Sequence, residues 1–144
     1  MKNKVTTIVA AVGLFLALAV SISAQSPTGA EVNIPFDFSA GTAHLKAGTY
    51  FITRSTGNAL KIRSTDGKKT VLVNAPLTIG SRDFKGGERL VFNRYGSEYF
   101  LTQVWLTVDS GRQLFPSKAE TTAARELANT KTKADRVEIA IRNR

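Results

Sequence analysis

The chain has 144 residues, 20 lysines and arginines against 11 aspartates and glutamates, a formal charge of +9, and no cysteine. The missing cysteine excludes disulfide staples, thiol catalysis, cysteine-ligated metals and a lipid-modified cysteine anchor. The cations are scattered, densest at Lys61/Arg63, Lys68-Lys69 and Lys131/Lys133, well short of the block of about five or six like charges that marks an interaction tail.

Met1-Lys2-Asn3-Lys4 is a short basic start, Ile8 to Val20 is an uncharged apolar run of 13 residues, and Ser21 to Ala24 is built of small residues around Ile22. This three-part order is that of a secretory signal peptide. The competing reading is an uncleaved anchor, but a spanning helix needs about 20 apolar residues. The sequence therefore predicts cleavage between Ala24 and Gln25, export to the periplasm or beyond, and membrane contact only through the segment before it is removed. Cleavage leaves 120 residues and, with Lys2 and Lys4 gone, takes the charge from +9 to +7. That length is enough for one packed domain without staples. An exported protein rarely meets genomic DNA, so the basic balance reads as a solvated surface, with attraction to an anionic envelope polymer second and nucleic acid excluded.

Residues 25–29 are a polar lead, and a β-rich domain is expected over 30–144. Val32, Ile34, Phe36 and Phe38 alternate with Glu31, Asn33, Pro35 and Asp37, the period of a strand with one buried face. Pro35 cannot donate to a ladder, which makes this an edge or bulged strand. Ser39 to Gly48 reads as a loop. Thr49 to Arg54 is a strand rich in β-branched and aromatic residues. Ala59 to Ser64 is another, with Leu60 and Ile62 inward. Asp66-Gly67 then gives a hairpin signal before the return strand Thr70 to Asn74. Leu77 to Ile79 reads as a short strand and Ser81 to Gly87 as a loop.

Arg89 to Arg94 and Glu98 to Val108 are strands joined around Gly96-Ser97. The second is apolar on both faces, as in a central strand covered on both sides. Strict alternation puts Phe100, Thr102, Val104, Leu106 and Val108 on one face. Tyr99, Leu101, Gln103, Trp105 and Thr107 fall on the other. Ser117-Lys118-Ala119-Glu120 fits a capping box, with the serine oxygen accepting the N3 amide and the glutamate reaching back to the cap amide. The helix then runs to about Asn129, with Ala119, Ala123, Ala124, Leu127 and Ala128 on its packed side. Thr130 to Asp135 is a polar loop. Val137, Ile139 and Ile141 mark a final strand. Seven or eight short strands with one late helix predict a mainly β fold: an antiparallel β-sandwich or small β-barrel, with a C-terminal helix before the last strand.

The chemistry-bearing residues form no recognisable set. His44, the sole histidine, lacks a cluster of partners and reads as a loop residue rather than a general base or metal ligand. Asp37, Asp66, Asp83 and Asp109 fall at strand ends or turns, where short carboxylates shape turn geometry. Lys85-Gly86-Gly87-Glu88 lacks the strand-to-helix context of a phosphate loop, and no nucleophile elbow or calcium loop occurs. No catalytic, metal or cofactor residue is assigned. The aromatics Tyr95, Tyr99, Phe100 and Trp105 read first as core. If the face opposite Phe100 is open, Tyr99 and Trp105 are the candidate ligand-facing pair for an apolar small molecule.

Val32-Asn33-Ile34-Pro35-Phe36-Asp37-Phe38, Ala47-Gly48-Thr49-Tyr50, Leu90 to Gly96, Tyr99-Phe100-Leu101 and Ser117 to Glu120 together resemble a group of uncharacterised short exported bacterial proteins. The resemblance spans most of the mature chain. It implies export and a small β-rich domain, and it brings no activity, cofactor or catalytic residue. The leading expectation is a non-enzymatic β-domain of the cell envelope that binds a ligand or partner. The alternatives are a structural or surface-associated envelope protein held by basic charge, and a hydrolase with carboxylates assembled from separate strands.

Overall fold

A computed structural model describes residues 29–81 and 86–141. The expected signal segment, the Ala24/Gln25 junction, the lead before Gly29, residues 82–85 (Asp83 and Lys85 among them) and Arg142 lie outside the described residues. Within them the order is β1 (Gly29–Ile34), β2 (Phe38–Ala40), β3 (Ala43–Leu45), β4 (Gly48–Arg54), β5 (Ala59–Ser64), β6 (Thr70–Asn74), β7 (Leu77–Gly80), β8 (Arg89–Tyr95), β9 (Glu98–Trp105), β10 (Ser110–Gln113), α1 (Lys118–Asn129) and β11 (Asp135–Ala140). That is more strands than expected, and the additions are the short β2, β3 and β10.

One sheet runs β1-β4-β5-β6 and is antiparallel throughout. The other runs β11-β8-β9-β10-β7, and the β2–β3 hairpin joins it through a short parallel contact between Ser39 and Phe100 of β9. The two sheets close over a single core. Val32, Ile34, Ile52, Leu60 and Ile62 come from the first, and Leu90, Phe92, Leu101 and Val104 from the second. Each such side chain, taken fully out of water, contributes about 1.5–3 kcal/mol before entropy is counted. The architecture is a sandwich and not a closed barrel.

Pro35 divides the expected first strand. Ile34 ends β1 at the edge of the first sheet, the chain crosses over at Pro35 to Asp37, and Phe38 begins β2 in the second sheet. A residue without an amide donor falls where the chain leaves a ladder. Phe36, at the crossing, packs edge-on to Phe92 at 5.2 Å and stacks on Tyr99 at 3.8 Å, while Phe38 meets Tyr50 and Phe92 edge-on. The expected loop from Ser39 to Gly48 contains the second arm of a hairpin, since Ser39 pairs with His44 and Ala40 with Ala43 around Gly41-Thr42. The Asp66-Gly67 turn forms as expected, with Gly67 at φ 73°, a conformation glycine adopts without steric cost.

A β-bulge overturns the expected faces of β9. Val91 lies opposite Gln103 but Phe92 lies opposite Leu101, which leaves Thr102 as the extra residue. Its hydroxyl donates to the Val91 carbonyl at 3.0 Å and its own carbonyl accepts the Leu114 amide at 2.9 Å. A bulge reverses the alternation. Val104 therefore points into the core on one side of it, and Leu101 and Tyr99 on the other, while Phe100 and Trp105 stay outside that core cluster. The strand also ends earlier than expected, at Trp105, and Val108 is exposed.

The serine half of the capping box holds: Ser117 Oγ accepts the Glu120 amide at 3.1 Å. The glutamate half does not. Glu120 is buried, and its carboxylate turns to β8, accepting from Asn93 Nδ2 at 3.1 Å and from the Tyr95 hydroxyl at 3.3 Å. The packed side of α1 is rotated accordingly: Glu120 and Ala123 are buried, Ala124 and Leu127 half-buried, and Ala119 and Ala128 exposed.

Candidate functional site

Two loops at one end of the sandwich enclose an open cleft of about 360 Å³. One wall is the β3–β4 connection, carrying Lys46. The other is the β5–β6 loop, carrying Thr65, Asp66, Lys68 and Lys69, with Tyr50 of β4 between them and His44 at the rim.

The sequence fixes both walls by side-chain bonds to the backbone. Asp37 Oδ1 accepts the Ala47 amide at 2.8 Å and its Oδ2 accepts Lys46 Nζ at 2.8 Å. The Tyr50 hydroxyl donates to the Lys46 carbonyl at 2.7 Å from the other side. In the facing loop, Asp66 Oδ1 accepts the Ser64 hydroxyl at 2.5 Å and the Lys68 amide at 3.0 Å, and Ser64 Oγ accepts the Lys69 amide at 2.9 Å. The Thr65 amide and hydroxyl both donate to the Thr49 carbonyl, which ties this loop to β4. Short polar side chains that bond nearby backbone are the means by which turns hold shape.

The electrostatics follow from these bonds. The Lys46 ammonium, and after it the Ala47 amide, hold the Asp37 carboxyl below the usual carboxylate range, and Asp37 in return raises Lys46. The Ser64 hydroxyl and the Lys68 amide lower Asp66. Burial, with Asp66 and Asp37 adding to it, pushes the Tyr50 phenol up. Three lysines and one aspartate line the cleft. Asp37 pairs with Lys46, and Asp66 stands 3.9 Å from Lys68. Among the described residues Lys69 makes no ion pair.

His44 is exposed, with Nδ1 3.2 Å from the hydroxyl of the buried Ser39, its cross-strand partner. A serine beside a histidine has the makings of a nucleophile and base, but such a pair works when a third group orients the imidazole, and the partner given to this ring is Ser39 itself. Four carboxylates meet donors: Asp37 meets Lys46, Asp66 meets Lys68, Glu120 meets Asn93 and Tyr95, and Glu138 meets Arg89 and Arg136. No group of three or more histidines or acids among the described residues is placed to hold a metal. No helix among them is long and apolar enough to cross a membrane.

Tyr99 and Trp105 are not brought together. Tyr99 is half-buried, packs against the core and stacks on Phe36. Trp105 lies across the bulge, buried beneath the Arg89 guanidinium at 4.4 Å from its ring, with Nε1 donating to Gln103 at 3.1 Å. Neither borders the cleft. Sequence reasoning missed the cleft itself, although Asp37, Asp66-Gly67 and Lys68-Lys69 had each been noticed separately. A local signal exists only for the second wall, where Ser64 and Asp66 stand beside Lys68-Lys69; Asp37 lies nine residues before Lys46.

Comparison with known proteins leaves the reading to the geometry: no family model matches the chain, and no curated protein or solved structure matches it significantly.

Proposed function

We propose that the protein is an exported, non-enzymatic β-domain that binds a ligand or partner in the cell envelope. The cleft between the β3–β4 and β5–β6 loops carries this reading. Its walls are held in place before any ligand arrives, so binding there avoids much of the entropy cost of ordering loops. The signal-peptide layout of the first 24 residues and the resemblance through Val32 to Phe38 support an exported compartment. Native mass spectrometry of the protein recovered from its own periplasm or medium tests it. A bound species at stoichiometric occupancy is expected, and ligand-free protein from every preparation overturns a tight-binding role.

A second reading, a surface-associated protein held by charge, is favoured by Lys61 and Arg63. Both are exposed on neighbouring positions of one face of β5. It predicts salt-sensitive retention on anionic vesicles that is lost on K61A/R63A and kept when the cleft lysines are replaced.

A further inference from the structure

We propose that the cleft takes an oxyanion, the phosphate or carboxylate of an acidic envelope polymer. This rests on the reading of the protein as an envelope binding domain and names the chemistry of its site. Lys46 projects from one wall and Lys68 and Lys69 from the other, against the single acid Asp66 in the lining. The lining carries a surplus of two positive charges, one of which Asp37 offsets in part through its ion pair with Lys46. Like charges facing each other across a gap repel unless an anion lies between them, and an anion there gains from both walls.

The acids present fill that role only in part. Asp37 stands outside the lining, bonded to the Ala47 amide and, through its other oxygen, to Lys46 Nζ at 2.8 Å, so it offsets part of the Lys46 charge and leaves Lys68 and Lys69 as the larger share of the surplus. Asp66 spends Oδ1 on the Lys68 amide and the Ser64 hydroxyl, and its other oxygen is 3.9 Å from Lys68 Nζ, beyond the range of a good hydrogen bond. The Lys46 and Lys68 side chains are 89% and 86% exposed, so the donors that Asp37 leaves on Lys46, and those of Lys68, remain open to a ligand. The volume, about 360 Å³, is at the small end of ligand sites. It fits one or two charged units of a chain entering through the open side better than an enclosed apolar molecule.

The test is an amide-shift titration of the protein recovered from the exporting cell, followed at Ala47, Thr65 and Lys68. Three probes are used: polyphosphate, polygalacturonate, and vesicles of phosphatidylglycerol with phosphatidylcholine. At least one of the two polymers is expected to shift these amides, with affinity falling as salt rises. K46A/K68A/K69A should weaken binding about tenfold or more, in line with the loss of charge-assisted hydrogen bonds, while K61A/R63A leaves it unchanged. Polyphosphate alone would assign the site to phosphate and polygalacturonate alone to carboxylate, whereas vesicles alone would overturn the polymer as occupant in favour of a lipid headgroup. Silence at these amides with every probe overturns the proposal, and so does equal weakening by the two variants. A stoichiometric species in native mass spectra that survives K46A/K68A/K69A overturns the anion site while leaving the binding reading standing.

Discussion

Trp105 is wedged between the Arg89 guanidinium and the backbone of Gly111, its partner across β9 and β10. A Cβ placed on Gly111 would stand 2.6 Å from Trp105 Cδ2 and 2.8 Å from Cε2. Carbon atoms settle at about 3.5–4.0 Å, so the indole must move by about 1 Å. It is rigid and 5% exposed, and Arg89, itself only 11% exposed and 3.5 Å from Glu138, closes its other face. Gly111 has no positive φ, so the backbone accepts alanine and the clash is the whole effect. Overpacking of this kind costs about 1–3 kcal/mol. At about 4 °C per kcal/mol for a domain near this size, the Tm of G111A falls by about 4–12 °C. Trp105 is the sole tryptophan, so its emission reports the displacement directly, and thermal melts report the cost. In a W105L background the same substitution should cost little, giving a coupling of about 1 kcal/mol or more. A G111A protein with unchanged emission and Tm, or the same penalty with and without the indole, would refute the packing described for this face.

Further outcomes follow from the buried carboxylate, the loops and the core. E120A leaves the Asn93 and Tyr95 donors without their acceptor and should cost about 1–3 kcal/mol in denaturant unfolding. E120Q, which keeps an acceptor, should cost clearly less. Burial, and after it Glu120, holds the Tyr95 phenol above its ordinary 10.0, so ultraviolet titration should find Tyr95 ionising at lower pH in E120Q. Asp37 and Asp66 are depressed below their ordinary 3.8. The stability they lend is present above that value and is lost as pH falls through their lower folded values. The Ala47 and Lys68 amide resonances should therefore hold steady from neutral pH to about 5 and move below about 4, with the Ala47 change abolished in D37N. F92A removes a fully buried ring that meets both Phe36 and Phe38 and should cost about 3–5 kcal/mol.

Local chemistry made much of the sandwich readable. Leu60 and Ile62 alternate with Lys61 and Arg63, Asp66-Gly67 turns the chain, and Ser117 caps the helix; each is decided by neighbours in sequence. The departures arise where distant neighbours decide. Period two cannot reveal an extra residue, so the bulge at Thr102 exchanged the faces of Leu101 and Phe100. Ser110 to Gln113 contains no β-branched or aromatic residue and is a strand because β7 and β9 supply ladders on both sides. Glu120 has the right spacing for a capping box, yet Asn93 and Tyr95, more than twenty residues away, offer its carboxylate two donors. The cleft was the least legible feature. Lys46 and Lys69 line one cleft only because β4 pairs with β5 and β5 with β6, and the Asp66-Gly67 turn, though recognisable, says nothing of the wall opposite.

The account turns on what occupies the cleft in the protein's own compartment. The most direct measurement compares native mass spectra of wild type and K46A/K68A/K69A recovered in parallel from the same exporting cells. The account predicts an acidic species on the wild type that is absent from the variant, both chains beginning at Gln25. A ligand-free wild type, or the same species on both proteins, would contradict it.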